Sequence, residues 1–227
     1  NNSEKLREAH ETVLGEIVTF SLKVAQSEPI YRAMKQLRES DAYEKLEPAQ
    51  QRTLEAGLRD VELAGIGLQG EQRKRFNEIA QELSQLSTDF SNHVLDATKA
   101  FSIVLTDASD VEGFPESLRN LTSQSFNQSK AEDAPESTPE SGPWKITLDL
   151  PCYVPFMEHC QKSELRETVY RAFVTRASEG ELDNTPLIDK ILKLRQEKAE
   201  LLGFNTYAEL SLESKMAGTV EEIERME

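Results

Sequence analysis

From residue 71 to residue 100, Phe76, Ile79, Leu83, Leu86, Phe90, Val94 and Ala97 recur at steps of three or four. Only a helix brings residues so spaced onto one face. The spacing predicts a single helix of about 30 residues, roughly 45 Å long at 1.5 Å per residue. A rod of that length runs the height of a domain, so the rest of the chain must be arranged along it. Shorter stripes precede it. Ser3 suits an N-cap, and Leu6, Val13, Ile17, Phe20 and Val24 are expected to form the inward face of a first helix. Pro29 fits the opening turn of a second, through about Arg38, with Tyr31, Met34 and Leu37 inward. Pro48 opens a third, striped by Leu54, Leu58 and Val61 and ended by the glycines of Gly65-Ile-Gly67. The first hundred residues read as antiparallel helices with short connections.

The period then changes. Residues 101–106 (Phe-Ser-Ile-Val-Leu-Thr) are rich in β-branched side chains, and in 144–150 Trp144, Ile146, Leu148 and Leu150 alternate with Lys145, Thr147 and Asp149. Pairing the two runs as an antiparallel ribbon gives each strand a partner. Between them a brief helical segment is expected near Pro115 to Leu121. A mobile loop follows over 122–142, a stretch dense in Ser, Glu, Pro and Gln. Helices resume after Pro151: a short one over 155–160, one capped by Ser163 with Leu165, Val169, Ala172 and Phe173 on one side, and one entered through Asp183-Asn-Thr-Pro186. That last helix carries Ile191, Leu194, Lys198, Leu201 and Leu202 as its stripe and stops at Gly203. Thr206 caps the next, and Thr219 with Glu222 offers a capping box for another. The chain is therefore expected to be mainly α. Its three parts are a helical lobe over 1–100, a β ribbon with its loop over 101–150, and the helical start of a second lobe over 151–227. The first residues lack an initiator Met and the last lie two turns into a new helix, so truncation at both ends is expected.

The 227 residues carry 41 acidic and 26 basic side chains, a net charge of -15. Phosphate backbones are bound by clustered Lys and Arg, so a nucleic-acid partner is not expected. The acidity suits solubility, or the attraction of cationic ligands such as basic peptides. No apolar run reaches the length of a membrane span. Cys152 and Cys160 are the only cysteines, too few for a disulfide framework, and are expected to be buried thiols. Sequons begin at Asn1, Asn120 and Asn127 and are read as accidental.

The residues that could carry chemistry fall short one by one. His10-Glu11 begins a zinc-helix motif, but Leu14 stands where the second histidine is required. His93 has Asp89 and Asp96 at helical spacing, which points to a surface ion pair before a metal site. His159 and Cys160 with Cys152 could in principle hold a metal, though in no usual zinc spacing. Gly65-Ile-Gly67-Leu-Gln-Gly70 lacks the lysine and strand of a phosphate loop, and no Gly-x-Ser-x-Gly elbow occurs. No catalytic, cofactor-binding or metal residue is assigned.

One longer phrase says more. Residues 194–217, Leu-Arg-Gln-Glu-Lys-Ala-Glu-Leu-Leu-Gly-Phe-Asn-Thr-Tyr-Ala-Glu-Leu-Ser-Leu-Glu-Ser-Lys-Met-Ala, combine an Arg-containing helix, Leu-Leu-Gly-Phe, a turn with Tyr-Ala, and Lys-Met-Ala. This resembles the thimet oligopeptidase and oligopeptidase A family of zinc metallopeptidases. The passage 148–157 (Leu-Asp-Leu-Pro-Cys-Tyr-Val-Pro-Phe-Met) and the helix 167–178 that follows are similar to the same family. Residues 62–68 and 90–98 look like oligopeptidase A and its plant and algal relatives. The resemblance covers nearly the whole chain outside the Ser/Pro-rich loop.

The resemblance implies a two-lobed helical fold, neurolysin-like, around a deep channel that admits short peptides. It implies one zinc on a His-Glu-x-x-His helix with a further Glu ligand, the motif glutamate acting as general base on metal-bound water. Those residues lie beyond this chain in the family. The chain would form channel wall, with no bound zinc and no activity by itself. Short peptides are the expected partners and a monomer the expected state. The compartment is expected to be intracellular: chloroplast stroma, mitochondrial matrix or cytosol. The alternative is a non-catalytic acidic helical scaffold that binds a partner.

Overall fold

The computed structural model describes residues 3–226 and is mainly helical. Its helices are α1 (Glu4–Ala25), α2 (Glu28–Arg38), α3 (Pro48–Leu63), α4 (Gly70–Ala100), α5 (Glu116–Ser129), α6 (Leu150–His159), α7 (Ser163–Val174), α8 (Thr185–Leu201), α9 (Tyr207–Leu212) and α10 (Val220–Glu224), with strands β1 (Ser102–Leu105) and β2 (Trp144–Thr147). Most caps expected from the sequence form, but Ser163 is the first residue of α7 and Lys162 stands at its N-cap, with no side-chain cap bond. Ser3 accepts the Leu6 N–H, Thr206 and Glu209 close a capping box, and Thr219 accepts the Glu222 N–H. The carboxylate of Glu222 reaches back to the Gly218 N–H at 2.7 Å. Gly203 takes a φ of 85°, the left-handed turn that ends α8 without a Cβ penalty.

The elements gather into two compact units. One comprises Asn1–Thr88 with Leu187–Glu227, the other Asp89–Pro186. In the first, Ile79 and Leu86 of α4 close on Leu194 of α8, with Leu83, Leu187, Ile191 and Leu201 around them. Phe76, at 1% exposure, continues the buried face of α4, as its spacing predicts. The α1 stripe does not behave as expected. Leu6, Val13, Ile17, Phe20 and Val24 all lie on the exposed face, while Leu14, Val18 and Leu22 are half-buried. The helix is apolar on two sides, so spacing alone could not say which side finds a partner. Leu37 of α2 is likewise exposed, whereas Tyr31 and Met34 are half-buried.

The second unit is built around the ribbon. β1 and β2 pair antiparallel, Ser102 with Thr147 through Leu105 with Trp144. Trp144, Ile146 and Leu148 bury on one face together with Leu105, Val111, Phe114, Leu118, Phe156 and Val169. Phe114 and Phe156 meet edge to face, their ring centres 5.7 Å apart.

Three readings need correction here. β2 ends at Thr147, because Asp149 becomes the N-cap of α6 and Pro151 occupies its first turn. Leu150, expected to alternate inward, is therefore in a helix and 61% exposed. The helix over 155–160 starts at 150 for the same reason, and carries Pro155 inside it. Finally, α5 continues to Ser129, eight residues past the expected helix end at Leu121. Polar side chains in its second half find partners: Thr122 Oγ1 donates to the Leu118 carbonyl at 2.8 Å, and Ser123 Oγ accepts from Ser137 at 2.8 Å. The remaining stretch 130–142 is tied back, with Asn127 holding the Ser137 backbone through both amide atoms. Gly142, at φ 66°, lies so close to the Trp144 ring that a Cβ would stand 2.6 Å from it.

Candidate functional site

Charged side chains converge at one place in the first unit. Arg75 of α4 donates from Nε and Nη2 to the two oxygens of Glu197 on α8, at 2.6 and 2.7 Å, and from Nη1 to Glu82 at 3.2 Å. Lys190 of α8 reaches the other Glu82 oxygen at 3.1 Å. The planar guanidinium matches Glu197 as a two-pronged fork, the strong form of this contact. Lys190 and Arg75 hold the Glu82 carboxyl below its usual range, and Arg75 does the same for Glu197. The Arg75 guanidinium is correspondingly pushed up by Glu197. Glu78 also lies 3.7 Å from Arg75 Nη1, so two cations face three carboxylates on α4 and α8. The group's chemistry is that of a strap between α4 and α8. Nearby, Lys198 lies with Nζ 5.2 Å from the Phe76 ring centre, and burial lowers its ammonium pKa.

A second constellation lies in the other unit. His93 Nδ1 is 2.9 Å from Asn184 Oδ1, and Asn184 Nδ2 donates to the Phe90 carbonyl at 3.1 Å. The Asn184 backbone N–H bonds to the Ala177 carbonyl at 2.9 Å. Asn184 is 3% exposed and so satisfies its buried amide while fixing the turn before α8. His93 is thus tied by a hydrogen bond to a residue 91 positions away. Arg176 adds a further tie, donating to Thr98 Oγ1 at 2.9 Å with its guanidinium 3.7 Å over the Phe173 ring.

Cys152 and Cys160 are both buried. The Thr147 N–H donates to Cys152 Sγ at 3.4 Å, and Cys160 Sγ lies 3.7 Å from the Lys162 carbonyl. Burial pushes both thiols up, which keeps them protonated and unreactive at neutral pH. His159 points away, 3.9 Å from Glu158. His10 is exposed on α1, one turn before Leu14. The Gly65–Leu68 turn is held by Arg73, which donates to the Leu68 and Ile66 carbonyls at 2.7 and 2.6 Å. An anion-binding loop presents N–H groups, whereas this one has its carbonyls engaged. Of the sequons, Asn127 has its amide committed to Ser137, Thr122 of the Asn120 triplet is fully buried, and Asn1 lies outside the described residues. Among the described residues, no three His, Cys, Asp or Glu side chains gather as a metal would require.

The Arg75–Glu197 fork and the Asn184 anchor had no signal in the sequence, since their partners stand 122 and 91 residues apart. What they define is a helical scaffold with polar ties between residues distant in sequence. A family likeness emerges from comparison. The model of the N-terminal domain of neurolysin and thimet oligopeptidase matches residues 1–73, and that of peptidase family M3 matches residues 156–227. Organellar oligopeptidase A, chloroplastic/mitochondrial, of Arabidopsis thaliana is 50% identical over 220 residues, covering 97% of this chain and 27% of the relative. The probable cytosolic oligopeptidase A of the same plant is 48% identical, covering 99% and 32%. Oligopeptidase A of Escherichia coli is 40% identical, covering 98% and 32%.

Nearly the whole chain is thus similar to the thimet oligopeptidase and oligopeptidase A family, peptidase family M3. It spans under a third of the length of these curated relatives. The residues described here do not fit the family's zinc, since no cluster of ligands is present among them.

Proposed function

We propose that this chain is part of a zinc metallo-oligopeptidase that hydrolyses short unstructured peptides, cleaved targeting peptides among them, inside a deep channel. The supporting observation is the order of the matches: an oligopeptidase N-terminal domain at residues 1–73 and a peptidase segment at 156–227 on one chain. In this reading residues 1–100 belong to the N-terminal lobe, 101–150 to the ribbon, and 151–227 begin the second lobe. They supply wall and support, and zinc binds to a His-Glu-x-x-His helix outside these residues. The enzyme acts as a monomer on peptides in the stroma, the mitochondrial matrix or the cytosol. The names of the relatives, one organellar and one cytosolic, are compatible with each of these. No described helix is long and apolar enough to cross a membrane.

The test is a fluorescence-quenched peptide assay on the complete reading frame and on the 227-residue chain. Chelator-sensitive cleavage by the former and none by the latter is expected. Cleavage by the short chain alone would overturn the assignment of its role. A reading frame that closes near Glu227 without a zinc motif would favour the acidic scaffold.

A further inference from the structure

The exposed face of α1 is an ordered seam. Leu6, Val13, Ile17, Phe20 and Val24 are between 47% and 67% exposed, and with His10 they follow alternating steps of four and three. That is the a/d pattern by which one helix receives the knobs of another. From Leu6 to Val24 it runs roughly 27 Å, about five turns. Leu14, Val18 and Leu22 supply a separate, half-buried face, and Lys5, Glu8, Thr12, Glu16 and Lys23 a polar one. The helix therefore has more apolar surface than its own unit covers. Single exposed apolar residues need no explanation, whereas five in register along one line mark an interface.

Two observations choose the occupant. The flanks do not select a parallel second copy: Glu16 would face Ser21 of that copy, and Ala9 would face Leu14, with no charge pairing between them. The matched relatives, meanwhile, are more than three times as long as this chain. We propose that the seam is covered in the full-length protein by an amphipathic helix from the polypeptide outside these 227 residues. The proposal rests on the reading that a longer oligopeptidase contains this chain.

Thiol labelling tests it without depending on a destabilised variant. Cys152 and Cys160 are buried, so Phe20→Cys and, on the polar face, Glu8→Cys can be labelled selectively with a maleimide in the native state. In the 227-residue chain both should react at similar rates. In the full-length enzyme the position-20 thiol should react at least about 10-fold more slowly and the position-8 thiol at its former rate, as burial of one face requires. Equal rates in a full-length protein would overturn the proposal. Slow labelling already in the short chain, with a dimeric mass, would overturn it in favour of a second copy. Chelator-sensitive activity of the same full-length preparation is measured in parallel. Its absence would count against the peptidase reading, whereas fast position-20 labelling in an active enzyme would count only against the helix.

Discussion

The two units close their cores by different means. The one around the ribbon does so with large rings: Trp144, Phe114 and Phe156 pack with eight further buried residues. The one around the first part of α4 has a narrower seam of Ile79, Leu86 and Leu194, strapped by Arg75, Glu197, Glu82 and Lys190. Burial of apolar area stabilises at roughly 25 cal/mol per Å², whereas half-exposed ion pairs contribute little and depend on pH and salt. A sheet of two strands needs a dense core to persist at all. Long helices need less, since their backbone bonds are satisfied internally.

The comparison can be broken most severely at its densest point. Phe156 is fully buried in the ribbon unit, and Phe156→Ala should cost about 3–5 kcal/mol in urea denaturation. Trp144 is the single tryptophan and lies in the same core, so its fluorescence reports that unit alone. Ile79→Ala, in the other unit, should cost about 2–5 kcal/mol by far-ultraviolet circular dichroism. If the units unfold separately, the fluorescence midpoint of this variant will stay near that of the parent. A common shift would mean that one cooperative transition joins them.

The strap should give a smaller, pH-dependent effect. Glu82 and Glu197 are held below the ordinary carboxyl value of 4.5, so the folded state resists their protonation. Their contribution is complete above that value and is lost as pH falls through the lowered one. Glu197→Gln should cost about 1 kcal/mol at pH 7, discounted for exposure, and flatten the acid limb of stability against pH below 4.5. An unchanged acid limb would mean the fork contributes no more than a surface pair. The smallest effect belongs to the exposed seam. Phe20→Ser in the 227-residue chain should change stability by no more than about 0.5 kcal/mol. A larger loss in the same urea titration would mean that the outer face of α1 already has a partner within its unit.

Legibility followed how local the cause was. The long helix with its stripe, and the caps at Ser3, Thr206 and Thr219, could be read because periods of three and four and a few side-chain oxygens act within one or two turns. The ribbon could be read because alternation left each strand needing the other. The length of α5 could not. Residues 122–129 are polar enough to resemble a loop, and partners distant in sequence, Ser137 on Ser123 and Asn127 and Lys145 on Ser129, hold them as helix. The polar ties at Arg75 and Asn184 were invisible to any reading of neighbours, because their partners stand 122 and 91 residues away.

The sequence by itself determined the long helix and its stripe, several helix caps, which two runs pair, and the phrases that resemble one family. These depend on intrinsic geometry and on residues a few positions apart. Tertiary structure alone decided which apolar face of α1 turns inward, which carboxylate Arg75 grips, and that His93 meets Asn184. Each of those choices is made between surfaces distant in sequence, where several partners would satisfy the same local pattern and only packing selects one.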